Sequence, residues 1–137
     1  MILILFLLFS YIICIWVFYH YWHKIPIYRA HNVDFTTLPF ITVLVPVKNE
    51  AFNIINLLND LANQDYIQEK FEIIVVNDHS EDNTLKLVKD FIDSKNFNAR
   101  IINLMTGNSK KAAIEEGIKN SNGEIILCTD GDCNVSK

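Results

Sequence analysis

Cysteine is scarce, with three residues in a chain of 137, and no two of them form a C-x-x-C pair. The common zinc and redox motifs are therefore excluded, and Cys128 and Cys133 read as reduced, packed thiols. Glycine is almost as scarce, with four residues. Gly107 has no second glycine ahead of a Lys-Ser/Thr pair, so a P-loop is excluded. Lysine and arginine form no cluster and the net charge is −4, which argues against a nucleic-acid surface. No Ser/His/Asp or Cys/His arrangement for nucleophilic catalysis can be assembled. The most informative absence is local: Met1 to Tyr19 contains no Asp, Glu, Lys or Arg.

That uncharged run is almost wholly Ile, Leu, Phe, Val, Tyr and Trp. A helix rises about 1.5 Å per residue, so about twenty residues match the ~30 Å hydrocarbon core of a bilayer. Tyr19, Tyr21 and Trp22 then form an aromatic girdle, and Lys24 and Arg29 are the first basic residues. This order is the one found at a membrane interface with the positive flank in the cytoplasm. A cleaved signal peptide would open on basic residues and close on small ones, and neither is present. A buried core helix would show a polar face, and this run has none. The expectation is a single-pass anchor over residues 1–22, a linker over 23–40 containing Pro26 and Pro39, and a cytoplasmic domain over 41–137.

Beyond the linker, β-rich and helical patterns alternate. Ile41–Val45 reads as a strand stopped by Pro46. Asn49 is a candidate cap for a helix with the stripe Ile54, Leu57, Leu58, Leu61. Phe71–Val76 is a second, nearly continuous apolar strand. Ser80 is a candidate cap for a helix carrying Leu85, Val88 and Ile92, with Glu81 and Asp82 in its first turn. Arg100–Leu104 is a weaker strand. Ser109 caps a helix with Ala112, Ala113 and Ile118, ended by Asn122-Gly123. Ile125–Cys128 is the fourth strand. The pattern predicts an α/β parallel sheet with helices on both faces and one transmembrane helix ahead of it, and the expected strand order is the Rossmann-like 3-2-1-4 of doubly wound sheets.

In such a sheet, ligands bind beyond the carboxyl ends of the strands. The fourth strand ends in Thr129-Asp130-Gly131-Asp132, two carboxylates at i and i+2 that converge on one point. Such a pair suits Mg²⁺ or Mn²⁺ shared with substrate phosphates. A solvated turn is the plain alternative for a bare D-x-D. Asp78 follows the second strand, where a carboxylate can accept from a base N–H or a ribose hydroxyl, or can simply end the strand. Glu50 is open to a first-turn reading, because acids are favoured there. Lys110 and Lys111 oppose the dipole of the helix they begin, which favours contact with an anion. His79 reads as a solvent-facing turn residue. An EF-hand is rejected, since Val135 stands where its glycine is required.

Taken in order, Val45-Pro-Val-Lys-Asn-Glu50, Val75 to Thr84, Ser109-Lys-Lys-Ala-Ala113 with Gly117, and Thr129-Asp-Gly-Asp132 resemble the signature of family 2 glycosyltransferases. The resemblance covers Ile41 to the C-terminus and implies the first, nucleotide-binding half of a GT-A fold. By position, it implies that Pro46, Val47, Lys48 and Glu50 line the nucleoside pocket and that Asp78 binds the base. Lys110, with Lys111 less firmly placed, would approach the nucleotide. Asp130 would face the ribose or sugar and join Asp132 at the metal. The donor would be a UDP- or GDP-sugar. The sequence ends five residues after Asp132, and no general base can be named in it. The expectation is thus the donor-binding half of a membrane-anchored glycosyltransferase, binding nucleoside diphosphate weakly and transferring no sugar by itself. A non-catalytic nucleotide-sugar-binding or interaction module is the alternative, and the acceptor is unspecified.

Overall fold

The computed structural model describes residues 2–25, 38–95 and 97–136. The chain divides into two units, Met1–Phe35 and Thr36–Lys137. In the first, α1 (Ile2–Trp22) is one helix of 21 residues with no buried side chain, about 32 Å long. It is long and apolar enough to cross a membrane. Its one aliphatic hydroxyl is satisfied internally, Ser10 Oγ donating to Leu7 O at 2.9 Å. At the far end Lys24 Nζ lies 5.5 Å from the centre of the Tyr21 ring. Most of the expected linker, including Pro26 and Arg29, falls outside the described residues.

The second unit contains β1 (Ile41–Val47), α2 (Ile54–Ala62), a 3₁₀ turn at Gln68–Lys70, β2 (Phe71–Asn77), α3 (Thr84–Ser94), β3 (Ala99–Asn103), α4 (Lys110–Lys119) and β4 (Ile125–Cys128). All strand pairs are parallel and the order is β3-β2-β1-β4, as expected for a doubly wound sheet. Strand alternation sorts the core into two layers. Val43, Val45, Ile73 and Val75 pack with the stripe of α2 and with Val88 and Phe91 of α3. Leu44, Ile74 and Val76 pack on the other face with Ala113 of α4. Each fully buried aliphatic side chain contributes about 1.5–3 kcal/mol, so these layers hold the strand ends in register.

Several local expectations are corrected. β1 runs through Pro46 instead of stopping before it. Leu44 O accepts from Thr129 N on the β4 side and Val47 O accepts from Asp78 N on the β2 side. Pro46 shares the parity of Leu44, so its missing N–H would face β4 beyond the last paired residue, where no ladder bond is lost. Asn49 and Ser80 do not cap their helices. The N-caps are Asn53 and Asn83, because both expected residues are engaged across the gap between two loops. Glu81 and Asp82 accordingly precede α3 rather than lie in its first turn. Ser109 is a true cap, its Oγ accepting from Ala112 N at 3.2 Å. α4 closes at Asn120, two residues before Asn122. On α4, Gly117 is buried and Ile118 exposed.

Cys128 and Cys133 are exposed, not packed. The helices of the first layer cover β1, β2 and β3, leaving Ile125 and Leu127 of β4 exposed as well. What fixes β4 is a polar clasp at the opposite, amino end of the strands. Glu72 is 2% exposed. Its Oε1 accepts from Thr42 Oγ1 at 2.6 Å and Asn122 N at 2.8 Å, and its Oε2 meets Arg100 at 2.9 Å. Thr42 Oγ1 in turn accepts from Gly123 N at 2.9 Å. Among the described residues no buried side-chain nitrogen or oxygen lacks a partner.

Candidate functional site

Parallel strands deliver their carboxyl ends to one edge of the sheet, and there the separated motifs meet in a cleft of about 270 Å³. Pro46, Val47, Lys48 and Glu50 line it from β1 and the turn beyond. Asp78 enters from β2, Lys110 from the first position of α4, and Asp130, Gly131 and Asp132 from β4. Every candidate site residue read from the sequence thus lies in this one cleft, except the less firmly placed Lys111. Lys111 is turned outward toward Glu115 at 3.8 Å. Glu50 stands four residues ahead of α2 and faces the cleft, so the first-turn reading does not apply. Asp78 is 5% exposed, and its Oδ1 is 3.0 Å from Nδ1 of His79.

The wall formed by the loops after β1 and β2 is braced by reciprocal hydrogen bonds. Asn49 N donates to Ser80 Oγ at 3.0 Å, and Glu81 N donates to Asn49 Oδ1 at 2.8 Å. Glu50 N donates to Thr84 Oγ1 at 2.8 Å, and Ala51 N to Asp82 Oδ2 at 3.1 Å. The Thr84 hydroxyl, followed by the amides of Thr84 and Ala51, outweighs desolvation and holds Asp82 below the ordinary carboxylate pKa. Asn49 and His79 both adopt the left-handed conformation, with φ of 59° and 56°. Such a backbone is uncommon outside glycine and is maintained here by the bonds around it. Sequence reading missed this brace. The one available signal was Asn49 itself, since asparagine tolerates the left-handed region best.

The floor is set by Gly131. A Cβ there would come within 2.9 Å of Glu50 Cγ and 3.2 Å of Val47 Cγ1, so the turn carrying both aspartates lies directly against β1. Asp130 Oδ1 is 2.5 Å from Lys110 Nζ. Asp130, with Asp132 behind it, raises the Lys110 ammonium above its usual pKa despite some desolvation. Lys48 Nζ donates to Asn108 Oδ1 at 2.7 Å, another contact that sequence reading missed. Four carboxylates and two ammonium groups line the cleft, leaving it with excess negative charge.

The donor set suits a hard divalent cation. Asp130 and Asp132 offer oxygen ligands, while no group of three or more His, Cys, Asp or Glu among the described residues could hold a metal. Mg²⁺ and its analogues are commonly held by one or two carboxylates together with substrate phosphates, and this arrangement fits that mode.

The comparisons agree with the geometry. The mannosyltransferase PcManGT of Pyrobaculum calidifontis, solved in complex with GDP-Man and Mn²⁺, superposes with a TM-score of 0.77 at 26% identity, over 88% of this chain and 35% of that one. TarS residues 1–349 of S. aureus, solved in complex with UDP-GlcNAc, gives 0.63 at 34% identity, over 71% and 28%. Glycosyltransferase AglE of Haloferax volcanii is 38% identical over 98 residues, which are 72% of this chain and 32% of AglE. The chain therefore spans about a third or less of the curated relatives it matches. Residues 42–137 match the profile of Glycosyl transferase family 2, and the chain belongs to that family.

Proposed function

We propose that the second unit is the donor-binding part of a membrane-anchored glycosyltransferase that uses a nucleoside diphosphate sugar and Mg²⁺ or Mn²⁺. The carrying observation is the cleft at the carboxyl edge, where the segments after β1, β2 and β4 and the start of α4 converge with an excess of carboxylates. An anionic diphosphate gains little from so negative a site by itself. With a divalent cation the balance reverses, and both partners become favourable to one another. The Mn²⁺ and GDP-Man of the mannosyltransferase and the UDP-GlcNAc of TarS support the same ligand class here.

Each residue has a distinct task in this reading. Pro46, Val47 and Glu50 form the wall for the nucleoside. Asp78, buried and braced, accepts from base or ribose. Asp130 faces the ribose or sugar side and joins Asp132, the principal ligand, at the metal, with Lys48 and Lys110 supplying positive charge to the phosphates. The bound cation would supply Lewis-acid stabilisation of the departing diphosphate. The residues themselves orient the donor. The domain is assigned residues 41–137, with the anchor at 1–22.

Isothermal titration of UDP and GDP into the full chain in detergent, with and without Mn²⁺, tests the reading. Binding of one nucleotide that requires the metal is expected, and Asp132→Ala should abolish the metal-dependent part. Equal binding with and without metal, or none of either nucleotide, would refute it.

A further inference from the structure

The contact between Lys110 and Asp130 raises a question that donor binding alone does not answer. Lys110 occupies the first position of α4, where the amide dipoles of the helix end repel a cation. It is nonetheless turned into the cleft and placed 2.5 Å from Asp130 Oδ1, with Asp132 on the same turn. A carboxylate oxygen engaged that closely by an ammonium cannot also take a divalent ion without setting two cations within a few ångströms of each other. The repulsion is substantial even in a half-exposed cleft. Entry of the metal at this oxygen must therefore move the lysine. Within the same cleft the diphosphate is the anion that arrives together with the metal, and it offers the displaced ammonium a new partner.

We infer that Lys110 is an exchangeable counter-ion: it holds Asp130 while the donor is absent and moves to the diphosphate as the metal takes the carboxylate. The inference rests on the reading of this cleft as the donor site. Its consequence is coupling. Metal alone meets competition from Lys110, nucleotide alone meets an excess of carboxylates, and the two together relieve both. By linkage, nucleotide must tighten metal binding by the factor with which metal tightens nucleotide binding. Lys110 is in this sense a positioning residue whose effect is read from metal affinity and not only from turnover. Lys48 differs, since its partner is the neutral Asn108 and its release costs no ion pair.

The test compares the full chain with Lys110→Met and Lys110→Arg, following Mn²⁺ binding by electron paramagnetic resonance, first alone and then with saturating UDP or GDP. The pair is partly exposed, with side chains 59% and 51% accessible, so the expected effect is modest. Lys110→Met should bind Mn²⁺ alone about three- to fivefold more tightly. The factor by which nucleotide tightens Mn²⁺ should fall by at least as much, and Lys110→Arg should restore it. Unchanged or weaker Mn²⁺ binding by Lys110→Met overturns the counter-ion role. If no nucleotide binds the unaltered chain, the donor-site reading fails by itself, while the metal-only arm still decides whether Lys110 guards Asp130. Lys110→Gln gives an independent neutral variant, and matching far-UV circular dichroism excludes unfolding as the cause.

Discussion

At the residue scale, the most consequential side chain outside the cleft is Glu72. Burial alone would raise its pKa. The Thr42 hydroxyl, both nitrogens of Asn122 and the Arg100 guanidinium outweigh that effect and hold the carboxyl below its ordinary value of 4.5. A folded pKa below the unfolded one means the ionised form is bound more favourably in the folded state. Its contribution is therefore complete above about pH 4.5 and is lost as pH falls through the lowered folded value. Glu72→Gln should cost about 1–3 kcal/mol at pH 7, since a charge-assisted acceptor is lost and Arg100 is left with the Asn120 carbonyl. Urea denaturation from pH 7 to pH 3 should show the two proteins converging in stability at the acid end. A gap that stays constant with pH would mean the carboxylate charge is irrelevant to the clasp.

At the element scale, β4 carries both aspartates yet pairs with β1 over only four residues, Ile41–Leu44 against Ile125–Cys128. Its position depends on the Glu72 clasp and on α4, whose Gly117 packs on Leu44. A Cβ at Gly117 would lie 2.1 Å from Leu44 Cδ1, and Leu44 is completely buried. Gly117→Ala should therefore destabilise the domain by about 1–3 kcal/mol through overpacking. Ile118→Ala, on an exposed neighbour, should be nearly neutral. Equal effects in guanidinium denaturation would show that the close contact does not matter. The strands, their order and the cleft residues were legible because apolar runs and strand-end polarity are set by local sequence and general topology. The starts of α2 and α3 were not, since Asn49 and Ser80 look like caps but spend their hydrogen bonds on each other's loops. The bareness of β4 was equally hidden: Ile125 and Leu127 look like core in any one-dimensional reading, and only the placement of α2 and α3 leaves them exposed.

At the scale of the whole molecule, charge is unevenly distributed along the chain. All charged residues follow α1, and Lys24 is the first. We propose that α1 spans the bilayer with Lys24 and the domain on the cytoplasmic side. Its 21 residues fill the hydrocarbon thickness, and its aromatic end with Tyr19, Tyr21 and Trp22 suits the interface. A charge at mid-helix should be costly there. Ile12→Arg, at the centre of α1, adds about 2.5–3.5 kcal/mol to insertion and should lower the carbonate-resistant membrane fraction. Ile12→Phe should leave the distribution unchanged. Sidedness is a separate matter, decided by protease applied to sealed, right-side-out vesicles. The domain should survive intact and be digested only after the vesicles are opened with detergent. Digestion from outside would reverse the topology, and so would place the cleft away from cytoplasmic nucleotide sugars while leaving its chemistry untouched.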